Sequence, residues 1–188
     1  MNPERPPYLP GDPAPEAEIA ATIRVDHAGE YGAVRIYDGQ LAAAQLLPWG
    51  RGRAPDAIRH MAEQEKKHLA AFDELVRARH VRPTALTPLW HAAGYALGAA
   101  TALLGERAAM ACTVAVEEVI DEHYRGQAER LGDTDPELSR TIEEFRADEL
   151  QHRDAAIDHG ATDALGYELI SAVVKTGSRL AIWLSTRL

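Results

Sequence analysis

The chain contains one cysteine and no surplus of positive charge: 20 Lys and Arg stand against 29 Asp and Glu, for a formal charge of −9. A lone Cys112 cannot close an internal disulfide. Its place in an Ala- and Val-rich run marks it as a small core residue of a protein from a reducing compartment. The acidic balance excludes nucleic-acid partners, because phosphate backbones are gripped by clustered Lys and Arg. No apolar core follows a basic region at the N-terminus, so no secretory signal is expected. No stretch alternates apolar and polar residues strongly, or concentrates β-branched ones, so no sheet is expected.

What is present is helical periodicity. With 188 residues, 46% of them hydrophobic and 26% charged, the chain suits one globular domain with a sizeable core. Residues 1 to 16 hold Pro3, Pro6, Pro7, Pro10, Pro13 and Pro15, too many for a helix or a central strand, and are expected to form a flexible tail before a domain over 17 to 188. Apolar residues then recur every three or four positions. Helices are expected from Ala17 to about Leu47, from about Pro55 to Arg79, from near Pro88, and from near Glu106 after a break at Gly105. A fifth should run to about His159, with Asp135 as N-cap, Pro136 in the first turn and Gly160 as C-cap. A final amphipathic helix is expected from about Thr162 to the end. The fold class is therefore all-α, a four-helix bundle with additional amphipathic helices.

Two short runs carry the chemistry. Glu65-Lys66-Lys67-His68 and Glu149-Leu150-Gln151-His152 repeat Glu-x-x-His, and a solitary Glu on a preceding helix, Glu30 or Glu117, stands upstream of each. Residues three apart on a helix share a face, roughly 4.5 Å apart along the axis, so each run presents a carboxylate and an imidazole to one cavity. One such run is weak evidence, since charged helix faces generate it by chance. Two of them, each preceded by a Glu among apolar neighbours, match the ligand set of a carboxylate-bridged dinuclear bundle. Buried carboxylates demand partners, and two divalent cations cancel four of them. Oxygen and imidazole donors without thiolates suit iron or manganese better than a structural zinc.

The surrounding sequence also resembles a family. Arg24-Val25-Asp26-His27-Ala28-Gly29-Glu30-Tyr31-Gly32-Ala33, Gln64-Glu65-Lys66-Lys67-His68-Leu69, Ala109-Met110-Ala111-Cys112-Thr113-Val114-Ala115-Val116-Glu117-Glu118 and the terminal Ala181-Ile182-Trp183-Leu184-Ser185 resemble demethoxyubiquinone hydroxylases, ferritin-like di-iron monooxygenases of ubiquinone biosynthesis. The resemblance implies metal ligands Glu30, Glu65, His68, Glu117, Glu149 and His152, and it selects Glu117 over the adjacent Glu118. It implies two carboxylate-bridged iron ions, a polyprenyl demethoxy-benzoquinone substrate, and electrons ultimately from NADH. Glu65 and Glu149 are the expected bridges, with Glu30 and Glu117 terminal and one imidazole on each iron. His123 and Tyr124 are candidates for substrate contact or a relay, against a satisfied helix histidine and a core tyrosine. His27 is read as a packed or capping histidine ahead of a partner to the metal ligands. Asp26 and Asp148 are solvated carboxylates unless they hold ligand imidazoles.

Residues 83 to 105 contain no charged side chain, long enough for a span. Pro88, His91 and the Ala/Gly-rich remainder make burial or an interface the expectation instead, and Gly94-x-x-x-Gly98 permits close helix contact. With the apolar C-terminal residues, this stretch could supply the surface of a peripheral, monotopic protein on the cytoplasmic face of a bacterial inner membrane, where a polyprenyl quinone resides. Other ubiquinone-biosynthesis proteins and a second copy of the chain are partners compatible with that placement. The competing function is a ferritin-like ferroxidase or peroxide scavenger, which would use the same six ligands.

Overall fold

The computed structural model describes residues 15–132 and 134–188 and, over them, is all-α. The helices are α1 (Pro15–Ala44), α2 (Ala54–Ala78), α3 (Thr87–Leu103), α4 (Glu106–Leu131), α5 (Pro136–Asp158) and α6 (Tyr167–Arg187). The expected tail up to residue 14 lies outside the described residues.

Sequence punctuation sets most boundaries. The Asp135 side chain accepts the Leu138 N–H at 3.2 Å and Pro136 occupies the first turn, so α5 begins where the cap was expected. Gly105, with φ 119°, separates α3 from α4, and Gly160, with φ 80°, follows the end of α5. Two boundaries differ from expectation. Helix α1 stops at Ala44, ahead of a 3₁₀ turn over Pro48–Arg51. Helix α6 starts at Tyr167 rather than near Thr162, because Ala161–Asp163 form a separate 3₁₀ turn and Gly166 at φ 76° reorients the chain.

The core comprises two main apolar clusters with a polar layer between them. One joins Tyr37, Ile58, Met61, Met110 and Val114; the other joins Ile23, Phe72, Tyr124, Leu138 and Ile142. Along α1 and α5 the chain passes from the second cluster to the first, and along α2 and α4 in the reverse sense. These four helices therefore form the bundle, and every one crosses the layer holding Glu30, Glu65, Glu117 and Glu149, all 2% exposed or less. Burial of the apolar side chains on both sides is what forces the layer inside.

Helix α3 lies along α1 through glycines. A Cβ on Gly94 would fall 2.9 Å from the Gly32 carbonyl oxygen, and one on Gly98 would collide with that of Ile36. The expected close contact at Gly94 and Gly98 is thus α3 against α1. The other face of α3 is open, with Leu89, Tyr95 and Leu103 exposed. Helix α6 closes over α4 by two ion pairs, Lys175 to Glu118 at 2.5 Å and Arg179 to Glu122 at 3.0 Å, leaving Leu169, Val173, Leu180 and Trp183 exposed. Among the described residues no helix is long and apolar enough to cross a membrane. Cys112 is fully buried, and burial pushes its thiol up to about 12, so it packs as a small apolar residue.

Candidate metal centre

The six residues singled out by spacing converge. Donor atoms of Glu30, Glu65, His68 and Glu149 lie within 4.8 Å of one another, as do those of Glu65, Glu117, Glu149 and His152. Glu65 and Glu149 belong to both groups, the placement that bridging carboxylates require. All six are buried, and Glu30 Oε2, both oxygens of Glu65, His68 Nδ1, Glu117 Oε2 and Glu149 Oε1 have no hydrogen-bond partner. Orphaned donors and acceptors in a dry core are costly, and here they all face one another. Two divalent cations would satisfy them, so the residues present fit the implied metals.

The electrostatics agree. Burial, followed by repulsion from neighbouring carboxylates, pushes Glu65 and Glu117 well above the ordinary carboxylate range, and burial also raises Glu30. Burial alone would raise Glu149 too, but the His152 and His68 imidazoles beside it hold it down at about 2. His68 shows the converse: burial would lower it, yet the carboxylates of Glu149 and Glu30 beside it lift it to about 10. A site in which burial raises three of four carboxylates is one that divalent cations can take over.

The imidazoles are oriented from behind. His68 Nδ1 faces Glu149 Oε1 at 3.1 Å, while its Nε2–H donates to Asp148 Oδ2 at 3.1 Å. His152 Nδ1 lies 3.1 Å from Glu65 Oε1 and from Glu149 Oε2, and its Nε2–H donates to Gln64 Oε1 at 3.2 Å. The outer acceptors select the tautomer that leaves Nδ1 free for a metal. Gln64 and Asp148 are the residues immediately before Glu65 and Glu149, and each serves the histidine of the other run. Phe145 stacks on the His68 ring at 4.1 Å and closes its outer side.

The solitary glutamates are cross-braced in the same way. Tyr37, seven residues after Glu30, donates to Glu117 Oε1 at 2.6 Å; Tyr124, seven after Glu117, donates to Glu30 Oε1. Their surroundings differ. Tyr37 backs onto Met61, with its hydroxyl 3.8 Å from the sulfur. Tyr124 stands beside a polar group in which Gln127 donates to Asp26 Oδ1 at 2.7 Å and lies 2.9 Å from His123 Nε2, itself 3.3 Å from Asp26 Oδ1.

Beside the cluster an apolar cavity of about 410 Å³ opens between α1, α3, α4 and α6. Gly29, Gly32, Trp90, Val116, Leu97 and Gly177 are among its lining residues, and Gly29 and Val116 immediately precede Glu30 and Glu117 in the chain.

The family model of ubiquinone biosynthesis protein COQ7 matches residues 17–185. The chain belongs to this family. It is 56% identical over 180 residues to a 3-demethoxyubiquinol 3-hydroxylase of Rhodospirillum rubrum, covering 95% of this chain and 82% of that protein. It is 49% identical over 176 residues to the human mitochondrial NADPH-dependent 3-demethoxyubiquinone 3-hydroxylase (92% and 79% covered). Identity to the mitochondrial 5-demethoxyubiquinone hydroxylase of Saccharomyces cerevisiae is 42% over 191 residues, covering 93% of this chain and 80% of that one.

Within this member of the COQ7 family, the structure gathers all six candidate ligands and sorts the secondary candidates. Asp148 holds an imidazole, one of its two expected roles. Asp26 does neither of the things expected of it: it is 2% exposed and pairs with His123 and Gln127 instead of meeting solvent or a ligand imidazole. His27 contacts Asp73 at 3.0 Å, away from the six, as a packed histidine would. Spacing singled out neither Tyr37 nor Gln64. The signal for both was available, since Tyr follows each solitary Glu by seven and an acceptor side chain precedes each Glu-x-x-His.

Proposed function

We propose that this chain is a di-iron monooxygenase that hydroxylates the ring of a polyprenyl demethoxy-benzoquinone in ubiquinone biosynthesis. The observation that carries this reading is the layer of four carboxylates and two imidazoles with their unpartnered atoms turned inward, set against an apolar cavity. Glu30, Glu65, His68 and Glu149 would hold one iron, and Glu65, Glu117, Glu149 and His152 the other, with Glu65 and Glu149 shared. The irons would supply reduction of dioxygen and transfer of one oxygen atom to a ring carbon. For balance, ring C–H, O₂, two electrons and two protons become ring C–OH and water. The electrons come from a nicotinamide nucleotide: NADH was expected, and the name of the human relative specifies NADPH.

The chain's own residues do the rest. Asp148 and Gln64 keep the imidazole Nδ1 atoms turned to the cluster, and Tyr37 and Tyr124 fix one oxygen of each terminal glutamate. The two apolar clusters exclude water from the layer. Tyr124, with His123, Asp26 and Gln127 behind it, is the polar route between the cluster and the partly exposed His123, and serves as the relay. The cavity takes the substrate, its ring towards the cluster and its tail towards the mouth. The exposed apolar side chains of α3 and α6 beside it support peripheral association with the membrane that dissolves such a tail, on the cytoplasmic face of a bacterial inner membrane. The same surface is available to other ubiquinone-biosynthesis proteins or a second copy of the chain.

The test is anaerobic reduction of iron-loaded protein, then addition of dioxygen and a demethoxy-quinone, with mass analysis of the quinone. One added oxygen atom is the expected result. Iron oxidation without product refutes the reading in favour of a ferroxidase or peroxide scavenger.

A further inference from the structure

Apart from Gly126, whose Cβ would meet the flexible end of Arg130, the described helical glycines fall into two kinds. Gly39, Gly94 and Gly98 are needed for packing, since a Cβ on any of them would run into the backbone of the facing helix. Gly29, Gly32 and Gly177 have no such excuse: a Cβ on any of the three meets nothing within 4 Å, and none has positive φ. Alanine favours a helix more than glycine does, so these three positions forgo helix stability without a packing return. All three line the cavity of about 410 Å³. Gly29 and Gly32, three apart, share one face of α1, and Gly177 faces them from α6.

Resting on the functional reading above, we propose that Gly29, Gly32 and Gly177 are the specificity-determining residues of the quinone site, a gauge that sets the width of the space beside the metal centre. Gly29, adjacent to Glu30, admits the substituted ring. Gly177, which is exposed, borders the mouth where the isoprenoid tail leaves. Gly32, three residues from Gly29 on the same face of α1, bounds the space alongside it. The occupant is a quinone bearing an isoprenoid chain, because the lining is almost wholly apolar and the chemistry beside it requires a ring within reach of the metals.

The experiment measures binding of two quinones to the purified full chain by quenching of tryptophan emission, Trp90 being a lining residue. One probe is a methoxy-benzoquinone with two isoprene units and the other is the same ring without a tail. Gly29→Ala should weaken both probes at least tenfold. Gly32→Leu should do the same to the tailed probe, and Gly177→Leu should weaken the tailed probe at least tenfold while leaving the tailless one within twofold. Gly29→Ala and Gly32→Ala should melt at or above the wild-type temperature, whereas Gly98→Ala should melt below it, which separates loss of space from loss of fold. Wild-type affinity for the tailed quinone in a folded Gly32→Leu protein, with the iron-loaded wild type still forming product, overturns the gauge alone. Failure of the wild type to bind either quinone overturns the functional reading and the gauge with it.

Discussion

Replacing Glu65 by leucine should stabilise the metal-free protein and at the same time end its metal binding. Glu65 is fully buried, and neither of its oxygens has a hydrogen-bond partner, although Oε1 lies 3.1 Å from His152 Nδ1. Burial and the neighbouring Glu149, Glu30 and Glu117 push its pKa well above the ordinary range, so the group is a burden on the metal-free fold. An unsatisfied buried polar group costs about 1 to 3 kcal/mol, and a leucine of similar size removes that cost. For a chain of this length the gain converts to about 2 to 12 °C in melting temperature. The wild type recovers more when loaded, because each ion at a hundredfold excess over its Kd adds about 2.7 kcal/mol, and the two together about 5 kcal/mol. Calorimetry of both proteins, metal-free and with excess manganese(II), gives the comparison. The order expected is loaded wild type, then Glu65→Leu with or without metal, then metal-free wild type. A metal-free variant that melts below metal-free wild type, or one that still takes up two ions, refutes the argument.

Asp148→Ala and Gln64→Ala each remove the acceptor behind one imidazole, so each should weaken metal affinity about 10- to 100-fold; affinities equal to wild type in a competition titration would refute that role. The pH dependence of stability should change sign with loading. Glu30, Glu65, Glu117 and His68 all have folded values above their ordinary ones, so their contribution is present at low pH and lost as pH rises through the folded values. Glu149, held at about 2, loses its contribution only as pH falls towards that value. The metal-free melting temperature should therefore rise from about pH 9 to about pH 5, whereas that of the loaded protein should fall as ligands are reprotonated; parallel curves would contradict this. Asp135→Ala loses both the cap on Leu138 N and the pair with Arg79 at 2.9 Å, costing about 1 to 2 kcal/mol by chemical denaturation. An unchanged midpoint would show that α5 needs no cap.

The features legible in the sequence were those governed by local rules. Asp135-Pro136 and Gly160 bound α5 because capping and positive φ act within a few residues of chain. Glu65-x-x-His68 and Glu149-x-x-His152 are legible because a helix fixes what lies three positions away. The start of α6 was not, since the turn at Ala161–Asp163 and the left-handed Gly166 depend on how α5 meets α4 and α6. The burial of Asp26 was not legible either: its partners Gln127 and His123 lie on another helix, and no periodicity within α1 announces them.

What spans both kinds is an internal twofold that reaches beyond the ligands. Each half of the chain supplies a Glu, a Tyr seven later and a Gln ten later, and in both cases the Tyr and the Gln bond to the other half. Gln40 donates to the Ala109 carbonyl at 3.0 Å and to Thr113, four residues before Glu117; Gln127 donates to Asp26, four before Glu30. The repeat therefore builds two equivalent cradles, and the substitutions within it make them unequal. Thr113 is neutral where Asp26 carries a carboxyl, and Ile36 is apolar where His123 carries an imidazole. The Glu117 side is consequently closed by methionine and apolar packing, while the Glu30 side is backed by the polar side chains of Asp26, His123 and Gln127. Symmetric scaffolding accounts for two equivalent groups of candidate ligands, and the broken symmetry gives the two sides different surroundings.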